Sequence, residues 1–267
     1  MPPKLPKPKP PALTHFLCIP LVTSSSRPQL QKSLATFRER LSQKGIPDLP
    51  DGLPEKAIRP LGTLHLTLGV MSLLTPEKVE GALKLLRELD IKSLFSQPSP
   101  VKFAPKLPAG PDSKVKEKEK ETEGQAKPEN LKITLQGLRP MQTPSKTSIL
   151  YSSPLDPDLR LFQFCTSLRQ TFTEAGFIED QKKLLLHATI VNTVYAKGVK
   201  GKGTGHGKRG GAKLMIDASE ILEEFEEFEF MENVRVERVA VCRMGAKPDE
   251  DGEVAYEVEG EIEVPEF

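Results

Sequence analysis

A chain of 267 residues that is 37% hydrophobic and 28% charged holds enough apolar material for one large cored domain or two small ones. Its formal net charge of +1 argues neither for nor against nucleic acid, so any electrostatic recognition must be local. The three cysteines, Cys18, Cys165 and Cys242, are far apart and form no C-x-x-C pair. That argues against a disulfide framework or a zinc site and for a reducing compartment, cytoplasm or nucleus.

In chain order, residues 1–12 are basic and proline-rich without an apolar h-region, and read as a disordered leader rather than a signal peptide. Residues 14–22 form a short apolar run suited to a strand. Leu30, Leu34, Phe37 and Leu41 then recur at helical spacing, and Gly45 marks a stop. The charge-free stretch 60–76 holds the run TLHLTLGV and is too short and polar to span a bilayer. A helix over 75–90 opens with a threonine cap followed by proline. Residues 104–130 alternate lysine and glutamate with a single valine, and read as a disordered insertion. Strands are expected at 131–138 and 147–153, and a helix capped by Asp156 at 156–177. The run LLHATIVN follows, then a glycine- and lysine-rich loop at 197–213 that lacks any acid. Residues 217–230 begin as a capped helix with Ile221, Leu222 and Phe225 on one side. Two alternating stretches after it read as a closing antiparallel pair.

The halves match in order. Each holds a strand, a helix of about five turns, a His-x-Thr strand and a shorter helix, as in a duplicated α+β unit. Side chains alternate along a strand, so His65 and Thr67 share a face opposite Leu64, Leu66 and Leu68. His187 and Thr189 likewise share a face opposite Leu186, Ala188 and Ile190. If the two strands are neighbours, two imidazoles and two hydroxyls converge. A single His-x-Thr is most simply a half-buried strand residue; two copies at matching places are not.

Such a quartet suits phosphoester chemistry. With an ordinary pKa near 6.5, one imidazole can take a proton from the attacking oxygen while the other gives one to the leaving oxygen. The threonine hydroxyls can donate to the non-bridging phosphate oxygens. The residues leave open which histidine is the base. No H-E-x-x-H, cysteine pair or carboxylate–histidine group marks a metal site, so no metal and no cofactor are expected.

These motifs resemble the 2H phosphoesterase superfamily. They are most similar to the phosphoesterase domain of A-kinase anchor protein seven, also found in a subunit of the activating signal cointegrator complex. THFLCIPL at 14–21, LHLTLGVMSL at 64–73, KLLLHATIVNT at 183–193 and DASEILEEFEEFEF at 217–230 carry the resemblance over roughly residues 13–244. It implies an α+β fold, bilobal and duplicated, with two antiparallel sheets around a central cleft and helices outside, as one domain over 13–267. It implies that His65 and His187 are catalytic, with Thr67 and Thr189 holding the phosphate. Phe16 becomes a candidate to stack on a base, or else a core phenylalanine. The expected substrate is a nucleotide, RNA or oligonucleotide phosphodiester, 2′,5′-linked or 2′,3′-cyclic; ligation is the reverse reaction on the same site. A non-catalytic nucleotide- or RNA-binding module is the rival.

Other residues carry less. His15 reads as a polar strand residue, His206 as solvated, Tyr195 as a nucleobase contact by position alone, and the glutamates of 219–229 as a solvated face. The closing residues EVAYEVEGEIEVPEF form no amphipathic helix, so kinase anchoring is not expected, and neither is a KH-type module ahead of the first strand. A soluble monomer without a membrane partner completes the expectation.

Overall fold

The computed structural model describes residues 11–43, 52–96, 130–180, 182–196 and 214–266. Residues 1–10 of the expected leader, the expected insertion up to residue 129, and the loop 197–213 with His206 lie outside the described residues.

Strand β1 (His15–Pro20) leads into helix α1 (Arg27–Ser42), strand β2 (His65–Met71), and helices α2 (Pro76–Arg87) and α3 (Ile91–Ser96). Strands β3 (Lys132–Pro140) and β4 (Ile149–Pro154) precede helix α4 (Arg160–Glu174), strand β5 (Ala188–Asn192) and helix α5 (Ser219–Glu224). Strands β6 (Glu229–Arg235), β7 (Arg238–Arg243), β8 (Lys247–Pro248), β9 (Val254–Ala255) and β10 (Val258–Glu263) close the chain.

Eight strands form one curled antiparallel sheet in the order β10-β7-β1-β2-β5-β4-β3-β6, beside a small β8-β9 pair. Within the sheet its two four-stranded lobes are joined where Leu66 of β2 pairs with Ala188 of β5. The two expected sheets are thus halves of one, and the His-x-Thr strands are the innermost strand of each. The duplication is visible in the path, with β1-α1-β2-α2 echoed by β4-α4-β5-α5.

The apolar alternation sets the faces. Leu64, Leu66, Leu68, Leu186, Ala188 and Ile190 are all buried in the main core, each leucine contributing roughly 1.5–3 kcal/mol. The helices cover that face, and each long helix crosses to the other lobe. Phe37 of α1 packs its ring 4.7 Å from Phe225 and 5.5 Å from Phe230, and Ser33 donates to the Phe230 carbonyl at 2.7 Å. Arg169 of α4 donates to the Leu68 carbonyl in β2 at 2.6 Å and to the Asp180 carbonyl at 2.7 Å. This exchange ties β2 and β5 to the same core. Gly69 admits the approach of Ile178, whose side chain occupies the space a Cβ would need.

Local signals explain the element starts. Thr75 accepts from the Lys78 amide at the head of α2. Helix α4 begins at Arg160 rather than beside Asp156, yet the Asp156 carboxylate still accepts from the amides of Leu161 and Phe162, at 3.1 and 2.7 Å. The helix expected over 217–230 ends at Glu224, and Glu229 already lies in β6. Buried Phe225 and Phe230 both face Phe37, which a continuing helix cannot arrange. The expected closing pair is present as β7 with β10. Among the described residues no helix is long and apolar enough to cross a membrane.

Candidate functional site

The sheet face away from the main core carries the four motif side chains. His65 opens β2 and His187 immediately precedes β5. With Leu66 opposite Ala188 in an antiparallel pair, the register carried one residue each way sets His65 across from Thr189 and Thr67 across from His187. A local two-fold axis therefore runs between the strands, and the expected quartet is brought together.

The two imidazoles are anchored alike through Nδ1. His65 Nδ1 lies 2.8 Å from the Thr63 carbonyl oxygen, and His187 Nδ1 lies 2.8 Å from the Leu185 carbonyl oxygen. A carbonyl only accepts, so each Nδ1 carries the proton and each Nε2 is the basic nitrogen of the neutral ring. Thr67 Oγ1 sits 2.9 Å from His65 Nε2 and donates to it in that tautomer.

The surroundings of the two rings differ. The His65 ring lies against Phe16, centroids 4.7 Å apart, and meets Tyr256 edge-on at 5.2 Å. His187 meets Tyr151 edge-on at 5.5 Å. Burial pulls the His65 pKa from 6.5 down to about 4; its bond to the Thr63 carbonyl opposes the shift, and the nearby His187 and Arg59 add to it. His65 is therefore neutral near pH 7.

Phe16 is only 4% exposed and packs with Cys18, Ala240 and Cys242 behind the site, its ring occupied by His65 and Tyr256. Cys18 pairs with Thr67 across β1 and β2. His15 points to the other face, where its buried ring bonds Thr14 at 2.8 Å and Glu259 at 3.3 Å. The glutamates of 219–229 are divided between α5, a turn and β6.

Two side chains at the site escaped sequence reasoning. Arg59 is buried, is held beside β5 by a hydrogen bond from its backbone N–H to the Ile190 carbonyl, and donates from a guanidinium nitrogen to Tyr256 Oη at 3.3 Å. Its guanidinium lies 4.1 Å from the centre of the Tyr195 ring. Tyr195, expected as a nucleobase contact, thus stacks on Arg59 and keeps 45% of its surface exposed. The only sequence signal for Arg59 is one cation amid Ala57, Ile58, Pro60 and Leu61; Tyr256 follows an alternating run and gives none. Among the described residues no group of three histidine, cysteine or carboxylate side chains is arranged to hold a metal.

The sequence profile described as AKAP7 2′5′ RNA ligase-like domain matches residues 13–264 of this chain. No curated protein matches it. Among solved structures, E. coli LigT complexed with 3′-AMP is 14% identical with a TM-score of 0.47, covering 94% of this chain and 98% of that one. The crystal structure of a phosphoesterase is 14% identical at a TM-score of 0.46, with coverages of 94% and 98%. A protein of Thermus thermophilus is 12% identical at 0.46, with coverages of 94% and 97%.

Proposed function

The chain belongs to the AKAP7 2′5′ RNA ligase-like domain family of 2H phosphoesterases, and from that premise we propose that it cleaves a nucleotide or oligonucleotide phosphodiester, 2′,5′-linked or 2′,3′-cyclic, by two-histidine acid–base catalysis without a metal. One observation carries the reading. Two imidazoles in the same tautomer, fixed by matched carbonyl bonds, flank the local two-fold axis of the sheet. In-line displacement at phosphorus needs such a pair, one group for each apical oxygen.

The roles follow from electrostatics. His65, neutral down to about pH 4, accepts the proton of the attacking water through Nε2. That leaves the donor's role to His187, which acts as the imidazolium: Nδ1–H stays on the Leu185 carbonyl while the second proton, on Nε2, passes to the leaving oxygen as its bond to phosphorus breaks. The new P–O bond comes from water, and the proton lost to His65 balances the one given by His187. Thr67 and Thr189 donate to the non-bridging oxygens as charge builds. For Thr67 this means swinging its hydroxyl from His65 Nε2 to the phosphate, which frees the basic nitrogen when substrate arrives. Phe16 backs the nucleotide site by holding the His65 ring.

The test is turnover of 2′,5′-linked, 3′,5′-linked and 2′,3′-cyclic substrates in EDTA, with His65→Ala and His187→Ala beside the wild type. Cleavage of one class, lost by about a hundredfold or more in each variant, supports the reading. Binding of nucleotides that depends on Thr67 and Thr189, without turnover at any pH, would make the protein a binding module.

A further inference from the structure

A second pocket opens at Arg59, and neither His65 nor His187 lines it. It has a volume of about 500 Å³, and Arg38, Lys56, Arg59 and Tyr195 line it, with Glu55 the one acidic residue in its wall. We propose that this pocket binds the phosphate neighbouring the reacting one in an oligonucleotide, with a base of the same strand against Tyr195. The proposal rests on the phosphodiesterase reading of the His65–His187 site and adds that the substrate is longer than one nucleotide.

Three observations carry it. First, Arg59 is a buried cation, 6% exposed, and its one side-chain hydrogen bond among the described residues is to the neutral Tyr256 hydroxyl. Among the described residues none of Arg38, Lys56 and Arg59 has a carboxylate within ion-pairing distance. A guanidinium taken from water without a counter-charge is costly, and its flat set of donors matches a phosphate. Second, the pocket concentrates three cations against one acid on a chain whose net charge is only +1, so the local field is positive where the whole molecule's is not. Third, the pocket is linked to the reacting site by one ring. Tyr256 touches His65 edge-on and its hydroxyl accepts the hydrogen bond from Arg59. Arg59 is thus joined to His65 through the Tyr256 ring rather than by a bond of its own, which suits it to a neighbouring phosphate rather than the reacting one. Tyr195 is already stacked on the Arg59 guanidinium and is exposed, the pairing of cation and ring that holds single-stranded nucleic acid.

The experiment compares a nucleoside 2′,3′-cyclic phosphate, the same nucleotide carrying a 5′-phosphate, and a trinucleotide ending in the cyclic phosphate. kcat/KM is measured for each, and binding of a fluorescent trinucleotide is followed by anisotropy. Wild type is expected to favour the trinucleotide over the bare cyclic nucleotide by about tenfold or more, the worth of one or two charge-assisted contacts. In Arg59→Gln that ratio collapses towards one, and the salt dependence of trinucleotide binding becomes shallower. Arg59→Lys restores part of both. Because Arg59 is buried, the pair Lys56→Ala with Arg38→Ala gives the same readout on more exposed side chains. An unchanged ratio and salt slope in the variants, with turnover intact, overturns the pocket and leaves the phosphodiesterase reading standing. Trinucleotide binding that depends on Arg59 without turnover upholds the pocket and overturns the catalytic reading. Neither turnover nor binding overturns both.

Discussion

His65 and His187 each donate Nδ1–H to the carbonyl oxygen two residues upstream, both at 2.8 Å, from strands that meet at a single residue pair. The shared geometry fixes one tautomer in both rings and turns both basic nitrogens away from the backbone. What distinguishes the two is packing: Phe16 and Tyr256 enclose His65, whereas His187 meets the Tyr151 edge.

That difference sets a pH dependence. A base must be unprotonated to act, so the acid limb of kcat/KM follows the His65 pKa of about 4 rather than an ordinary imidazole near 6.5. Opening the enclosure with Phe16→Ala is expected to move that limb upward, as the protonated ring becomes better hydrated. A pH–rate profile of both proteins checks this; an acid limb near 6.5 in the wild type contradicts it.

The same shift acts on stability. As pH falls from 6.5 to about 4, the unfolded chain takes up a proton at residue 65 that the folded protein resists. The contribution from this group is fully present above pH 6.5 and is lost as pH falls towards 4, by at most about 3 kcal/mol. Urea unfolding of His65→Gln should show a correspondingly flatter dependence over that window than wild type.

Removing a single hydroxyl separates binding of charge from protein shape. Thr67→Val and Thr189→Val keep the side-chain volume nearly unchanged, and each is expected to lower kcat by about a hundredfold to a thousandfold. Thr67→Val also removes the bond to His65 Nε2. A loss confined to KM would assign the hydroxyls to ground-state binding alone.

Gly69 tests how the first motif strand is seated. Any side chain there enters the space filled by Ile178, so Gly69→Ala is expected to destabilise the protein by about 1–3 kcal/mol. Ile178→Ala in the same chain should recover part of the loss, a coupling that thermal unfolding of the four proteins measures directly.

Much of this arrangement was legible in the sequence because it rests on period and order. Alternation around His65 and His187 gave the faces correctly, since Leu66 and Ala188 must both enter the core. The repeated order of strand, helix, motif strand and helix announced the duplication. Three features were hidden, each for a physical reason. The exchange of α1 and α4 between lobes depends on contacts such as Phe37 with Phe230, far apart in the chain and local to no pattern. The early end of α5 at Glu224 arises because burial of Phe225 and Phe230 overrides a glutamate-rich helical stretch. Arg59 and Tyr256 meet across 197 residues of chain, and neither stands in a motif.

The assignment of His65 as base and His187 as acid is tested most directly by the leaving group. Hydrolysis rates are measured for an ordinary nucleotide phosphodiester and for one with a nitrophenolate leaving group, which departs without a proton, using wild type, His65→Ala and His187→Ala. The account predicts that His187→Ala recovers most of its deficit on the activated ester while His65→Ala stays deficient on both. Equal deficits of the two variants on the activated ester, or recovery by His65→Ala instead, would contradict it.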